Sequence, residues 1–95
     1  MRKLVTIDLT QADLNLFEGY EAAVLPLLGR HGGRLEMRVR AANSSSETHL
    51  LYFPDSQSYE AYRSDPDRVR VLGDWERCGA RASMIEVEVF PAGEP

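Results

Sequence analysis

Between Arg34 and Arg40 every second residue is charged: Arg34, Glu36, Arg38 and Arg40 alternate with Leu35, Met37 and Val39. A period of two belongs to a strand with one face against a core and the other exposed. Two further stretches alternate. In Lys3 to Leu9, the residues Val5, Ile7 and Leu9 oppose Leu4, Thr6 and Asp8; in Arg81 to Phe90, Ile85, Val87 and Val89 oppose Met84, Glu86 and Glu88. Thr48 to Phe53 is nearly continuously apolar, which suits a central strand. Polar Ala42-Asn43-Ser44-Ser45-Ser46 separates it from the preceding strand as a turn.

The segments between these strands follow a helical period. Leu14, Phe17, Val24, Leu25 and Leu28 share a helix face with Glu21. Thr10 is the predicted N-cap, with Asp13 three residues on. His31-Gly32-Gly33 ends the helix, and Pro26 is expected to kink it near Ala22. Pro54-Asp55-Ser56 opens a second helix through Tyr59 and Tyr62. Asp65-Pro66 breaks and restarts it, with Asp65 as N-cap and Pro66 at the first position. Val69, Leu72, Trp75 and Cys78 then form an apolar stripe, which Gly79 ends.

The order is β-α-β-β-α-β, the split βαβ pattern of ferredoxin-like folds. We therefore expect an α+β domain over residues 1–90: a four-stranded antiparallel sheet with helices on one face, and a flexible tail over 91–95. The uncovered face would carry Thr6, Asp8, Arg34, Glu36, Arg38, Arg40, Glu86 and Glu88. Such a face is either simply solvated or pairs its mixed charges across a two-fold axis. The second reading predicts a homodimer built on the face with Arg38 and Glu86.

Charge narrows the partners. The net charge is −4 and the pI about 5.1. Nucleic acid needs a basic face, so it is not expected as a partner; an anionic membrane surface is disfavoured likewise. Arginine supplies nearly all the positive charge, Lys3 being the lone lysine, which reflects either bidentate recognition or genomic base composition. Cys78 is the single cysteine, so neither an internal disulfide nor a cysteine metal cluster is expected. No other ligand spacing suggests a metal, and no cofactor motif is present, so none of either is expected. The apolar run near Met1 is short and broken by Asp8, unlike a signal peptide, and no segment approaches a membrane span. A cytoplasmic location is the expectation.

Two segments, LFEGYEAAVLPLLGRHGGRLEMRVR and HLLYFPDSQSYEAYRSDP, together resemble the dimeric α+β barrel superfamily. The resembling elements are the Tyr20 helix, the Gly32-Gly33-Arg34 turn, and Tyr52-Phe53-Pro54-Asp55 leading to Tyr59-Glu60-Ala61-Tyr62. The likeness spans Val5 to Val89. It is greatest to a family of uncharacterised bacterial domains, related to antibiotic-biosynthesis monooxygenase-like and EthD-like domains. The resemblance implies two sheets facing each other in a dimer, helices outside, and a ligand cleft between helices and sheet. Several members of that superfamily are enzymes that need no metal or bound cofactor.

Candidate chemistry is sparse. His49 shares a strand face with Leu51 and Phe53 and should point under the helices, as a hydrogen-bonded core residue or as a general base. His31 sits at a helix C-terminus, where the dipole favours a cation; its alternative role is an acid/base at a cleft mouth. Tyr20, Tyr52, Trp75 and Arg34 are the candidate ligand contacts. Interruptions at Pro26 and at Asp65-Pro66 favour a concave site near His49, walled by Tyr20 and Trp75. Two functions remain: a homodimeric small-molecule-binding or interaction domain, or a cofactor-independent enzyme on a small organic acid, phenol or polyketide-like substrate. A second polar group beside His49 in an apolar cleft would favour the enzyme.

Overall fold

The computed structural model describes residues 1–93. Its strands are β1 (Arg2–Asp8), β2 (Arg34–Arg40), β3 (Ser46–Tyr52) and β4 (Arg81–Val87). They form one sheet in the order β2-β3-β1-β4, with every neighbouring pair antiparallel. Helix α1 (Leu14–Val24) and a 3₁₀ segment (Leu25–His31) link β1 to β2. Three short helices, α2 (Ser56–Arg63), α3 (Pro66–Val69) and α4 (Leu72–Cys78), link β3 to β4. The helices cover one face, as in a ferredoxin-like α+β fold. Glu94 and Pro95, at the end of the expected tail, lie outside the described residues; Pro91–Gly93 form neither helix nor strand.

The helix ends depart from expectation where local chemistry overrides position. Asp13, not Thr10, caps α1, its side chain accepting from the Leu16 amide at 3.1 Å. Thr10 is occupied elsewhere: its hydroxyl and amide both donate to Asp8. Pro26 does not kink a continuous helix. It lacks the N–H that would reach the Ala22 carbonyl, so the α-helical ladder stops at Val24 and the chain tightens into the 3₁₀ segment. Asp65 caps α3 as expected, and α2 opens at the expected Pro54-Asp55-Ser56, with Asp55 as its cap. Gly79 closes α4 at φ 81°, and a Cβ there would lie 2.7 Å from the Gln11 carbonyl oxygen. That close approach lets Asp13 donate its amide to the Cys78 carbonyl, tying α4 to the start of α1.

Two apolar clusters fill the space between helices and sheet. One holds Leu27, Leu28, Leu51, Phe53 and Tyr62. The other holds Ile7, Leu9, Phe17 and Cys78, and Val5 packs against both.

The alternation of β2 does not run through the sheet unbroken. Leu35 faces Leu51 but Met37 faces Leu50, so Glu36 is an extra residue in a β-bulge. Beyond it the side chains exchange faces: Arg38 pairs with His49 and Arg40 with Glu47 on the helix side, while Met37 and Val39 turn outward. The register of β4 is also the reverse of the expected one. Met84 and Glu86 pair with Val5 and Lys3 on the helix side, and Ile85 and Val87 pair with Leu4 and Arg2 on the open side. Of the charged face expected, Thr6, Asp8, Arg34 and Glu36 do lie on the open side, where Glu36 pairs with Arg2 and Arg34, but Arg38, Arg40 and Glu86 lie on the other face. In their place the open face presents Leu4, Met37, Val39, Leu50 and Ile85, with Val39 and Ile85 51% and 60% exposed.

Candidate functional site

A cleft of about 320 Å³ opens between the helical layer and the β1–β3–β4 part of the sheet. Val5, Ile7, Leu51 and Ala82 form part of its sheet wall, while Tyr20, Val24, Leu72 and Trp75 come from the helical side. The Tyr20 and Trp75 rings meet at 5.2 Å between centroids. His49 reaches the same cleft and is 3% exposed. Burial raises the Tyr20 phenol above its ordinary value, against a smaller opposing pull from Arg68.

Behind His49 lies a charge that the apolar reading of β3 passed over. Glu47 sits two residues earlier on the same strand face and is almost wholly buried. It accepts from Arg38 Nε at 3.0 Å and from Arg40 Nε at 2.9 Å, and lies 2.6 Å from His49 Nε2. The bulge at Glu36 makes this possible by turning both arginines inward. Arg40 also pairs with Glu18 of α1, extending the network to the surface. Burial alone would raise the Glu47 carboxyl, but the bonds from His49, Arg38 and Arg40 outweigh it and hold the group below its ordinary value. An ionised carboxylate only accepts, so His49 Nε2 carries a proton and Nδ1 is left as the nitrogen facing α1.

Glu21 of α1 stands on that side. Its Oε2 lies 3.9 Å from His49 Nδ1, and the residue is 4% exposed yet lines the cleft. Burial pushes its carboxyl up to about 7, and the negative charge of Glu47 adds to the shift. The cleft thus has an acid that exchanges its proton near neutrality beside an imidazole oriented by a fixed anion. Ligand atoms of Glu21, Glu47 and His49 all lie within 4.8 Å of one another. Glu47, however, already accepts from two guanidiniums and the imidazole, which fill the place of a metal ion. The constellation suits proton exchange better than cation binding.

The other candidates are dispersed. His31 Nε2 lies 2.8 Å from Asp65 Oδ2, and the ring meets Tyr62 edge-on at 6.4 Å. That carboxylate is the cap of α3, and the His31 bond holds it below its ordinary value, aided by the Asp67 amide. His31 therefore fastens the 3₁₀ segment to α3 and lies outside the cleft. Tyr52 and Arg34 are directly paired in the sheet and face its open side. The Arg34 guanidinium carbon stands 4.0 Å from the Tyr52 ring centroid, and Arg2 approaches the same ring at 5.2 Å. As cleft contacts these two are on the wrong face: Tyr52 is one residue beyond Leu51, and alternation turns it away.

No protein-family model matches the chain, and no curated protein does. Solved structures resemble it in fold. SnoaB, a cofactor-independent oxygenase from Streptomyces nogalater, superposes with a TM-score of 0.70 at 11% identity, covering 94% of this chain and 93% of its own. A NIPSNAP domain protein from Burkholderia xenovorans gives 0.65 at 10% identity, covering 98% of this chain and all 100% of its own. A dimeric ferredoxin-like protein of unknown function from a Jannaschia species gives 0.62 at 16% identity, over 92% of this chain and 100% of its own. Putative antibiotic biosynthesis monooxygenases are among the further matches. At these identities the likeness establishes the ferredoxin-like fold alone.

Proposed function

We propose that residues 1–90 form a homodimeric small-molecule-binding domain whose ligand occupies the cleft between helices and sheet. The cleft itself carries this reading: an apolar cavity with a few convergent polar groups is the usual form of a small-molecule site. Filling it tests the proposal. Ala82→Phe should abolish binding of any ligand found by screening small acids, phenols and amides, while leaving the melting temperature within a few degrees. Trp75 is the sole tryptophan and lines the cleft, so its emission reports occupancy. A ligand that binds the filled variant unchanged would place the site elsewhere.

The dimer would form on the open face. Leu4, Met37, Val39, Leu50 and Ile85 give it an apolar centre, and packing a second copy there would remove these residues from water while leaving the cleft free. The dimeric Jannaschia neighbour supports a homodimer. A lone buried thiol at Cys78 suits a reducing compartment such as the cytoplasm; among the described residues no helix is long and apolar enough to cross a membrane.

A second reading is an acid–base enzyme without a cofactor, the kind of independence that SnoaB is described as having. The contact of His49 with both Glu47 and the neighbourhood of Glu21 favours it. His49 Nδ1 would take a proton from an acidic carbon of the ligand, with Glu47 balancing the imidazolium charge and Glu21 returning a proton. Exchange of that carbon-bound hydrogen in heavy water, followed by NMR, should then be lost in His49→Ala. Exchange at the uncatalysed rate with wild-type protein and a bound ligand would leave the domain a binder only.

A further inference from the structure

The cleft has a charged end. Arg63 and Arg68, from α2 and α3, are lining residues, and Glu21 is the acidic one. Arg68 is incompletely satisfied. One terminal nitrogen donates to the Arg63 carbonyl at 3.3 Å, and the guanidinium carbon lies 5.0 Å from the Tyr62 ring centroid. Its Nε–H is buried without any protein partner. Buried donors are nearly always paired, and an orphan guanidinium nitrogen at a cavity wall marks a place where an acceptor is missing.

The geometry points to a compact apolar carboxylate as the ligand of this cleft, with its anion on the Nε edge of Arg68 and its hydrocarbon body against Trp75, Leu72 and Met84. This inference rests on the cleft being the binding site. The guanidinium edge presents two parallel donors that match the two oxygens of a carboxylate. A single negative charge fits better than a dianion, because Glu21 shares the cavity and repels excess charge. The volume of about 320 Å³ admits one or two rings. Since Nε is shielded in the free protein, the guanidinium has to turn from the Tyr62 ring as the ligand enters.

The test compares 2-naphthoate with 2-naphthamide, which has nearly the same shape and no charge. Binding is followed by Trp75 emission and by calorimetry on the intact protein. Naphthoate should bind about tenfold or more tightly than the amide, as a charge-assisted pair predicts. Arg68→Gln should erase that preference while amide binding persists, which also shows that the variant is folded. Arg68→Lys, which keeps the charge but not the paired edge, should retain part of it. Equal affinities for the two probes, or a preference unchanged in Arg68→Gln, would overturn the carboxylate assignment and leave the cleft reading standing. Failure of both probes to bind at millimolar concentration would overturn both.

Discussion

The two faces of the sheet distribute charge the opposite way from a simple strand rule. Under the helices lie Glu47, His49, Arg38 and Arg40; on the open side lie Leu4, Met37, Val39, Leu50 and Ile85. A strand with one buried face is expected to turn its apolar residues inward. The exchange has two sources. In β2, one extra residue at Glu36 reverses the alternation midway, so the arginines beyond it meet Glu47 rather than solvent. In β4, the register with β1 sends Ile85 and Val87 outward and leaves Ala82 and Met84 at the cleft. Charge beneath the helices is thus paired and orients His49, while the open face carries an apolar strip bordered by the Arg2–Glu36–Arg34 cluster.

Removing the anion at the centre of the covered face should have the largest effect. Glu47→Ala strips the acceptor from Arg38, Arg40 and His49 together. Breaking a buried ion pair typically costs about 3–5 kcal/mol. The arginines are partly exposed and recover some hydration, so a loss of about 3 kcal/mol in urea unfolding is expected. A loss under about 1 kcal/mol would mean that water serves these groups as well as Glu47 does, and the contrast between the faces would be far weaker than it looks.

The open face should respond in association rather than in folding. Val39→Asp combined with Ile85→Asp puts charge in the proposed interface and should shift a dimer to monomer at micromolar concentration, a change of roughly 2–3 kcal/mol. Light scattering reads this directly. Arg38→Glu separates the faces further. On a charged interface it would weaken the dimer; facing Glu47, it should instead lower stability and leave the mass unchanged. A monomeric Arg38→Glu variant with wild-type stability would restore the charged-face arrangement.

The sequence carried the element order because each segment repeats its own period, and the Asp65 cap and the helix start at Pro54-Asp55-Ser56 were visible because turn chemistry is local. His49 could be placed under the helices from its parity with Leu51 and Phe53. Glu47 has the same parity, but an acidic residue at the start of a strand reads as its boundary, and its partners come from another strand. The bulge was illegible for a related reason. Arg34 to Arg40 contains no glycine and alternates perfectly, and only pairing with β3 reveals that Glu36 is surplus. Alternation alone excludes Tyr52 from the cleft, one residue beyond Leu51, and Arg34, one residue before Leu35. Glu21 was legible as a residue on the helix's apolar side; its role depends on His49, twenty-eight positions away in sequence.

Glu21 offers the smallest and most specific of these tests, because it is the one charged group of α1 turned wholly into the covered face. Its carboxyl titrates at about 7 in the folded protein, against an ordinary value of 4.5. Burial is the main cause; Glu47 and Glu18 raise it further, and Arg38 and Arg68 oppose them. The native state therefore holds this proton more tightly than the unfolded chain. Its contribution to stability is complete below the unfolded value and is lost as pH rises through about 7. Over that window wild-type stability should fall by on the order of 1–2 kcal/mol from this group, less than the unrelaxed shift implies because water and the two arginines adjust around the charge. Glu47 acts at the other end of the scale: its lowered value gives stability that is lost only as pH falls below the ordinary carboxylate range. The two are thus separable by pH. Glu21→Gln keeps the size and the hydrogen-bonding capacity of the neutral acid, so it should remove the decline between about pH 5 and pH 8 and be the more stable protein at the upper end. Urea midpoints for the two proteins, measured at intervals across that range, should diverge steadily. Parallel curves would show that Glu21 stays ionised throughout, and that the covered face tolerates an unpaired carboxylate beside Glu47.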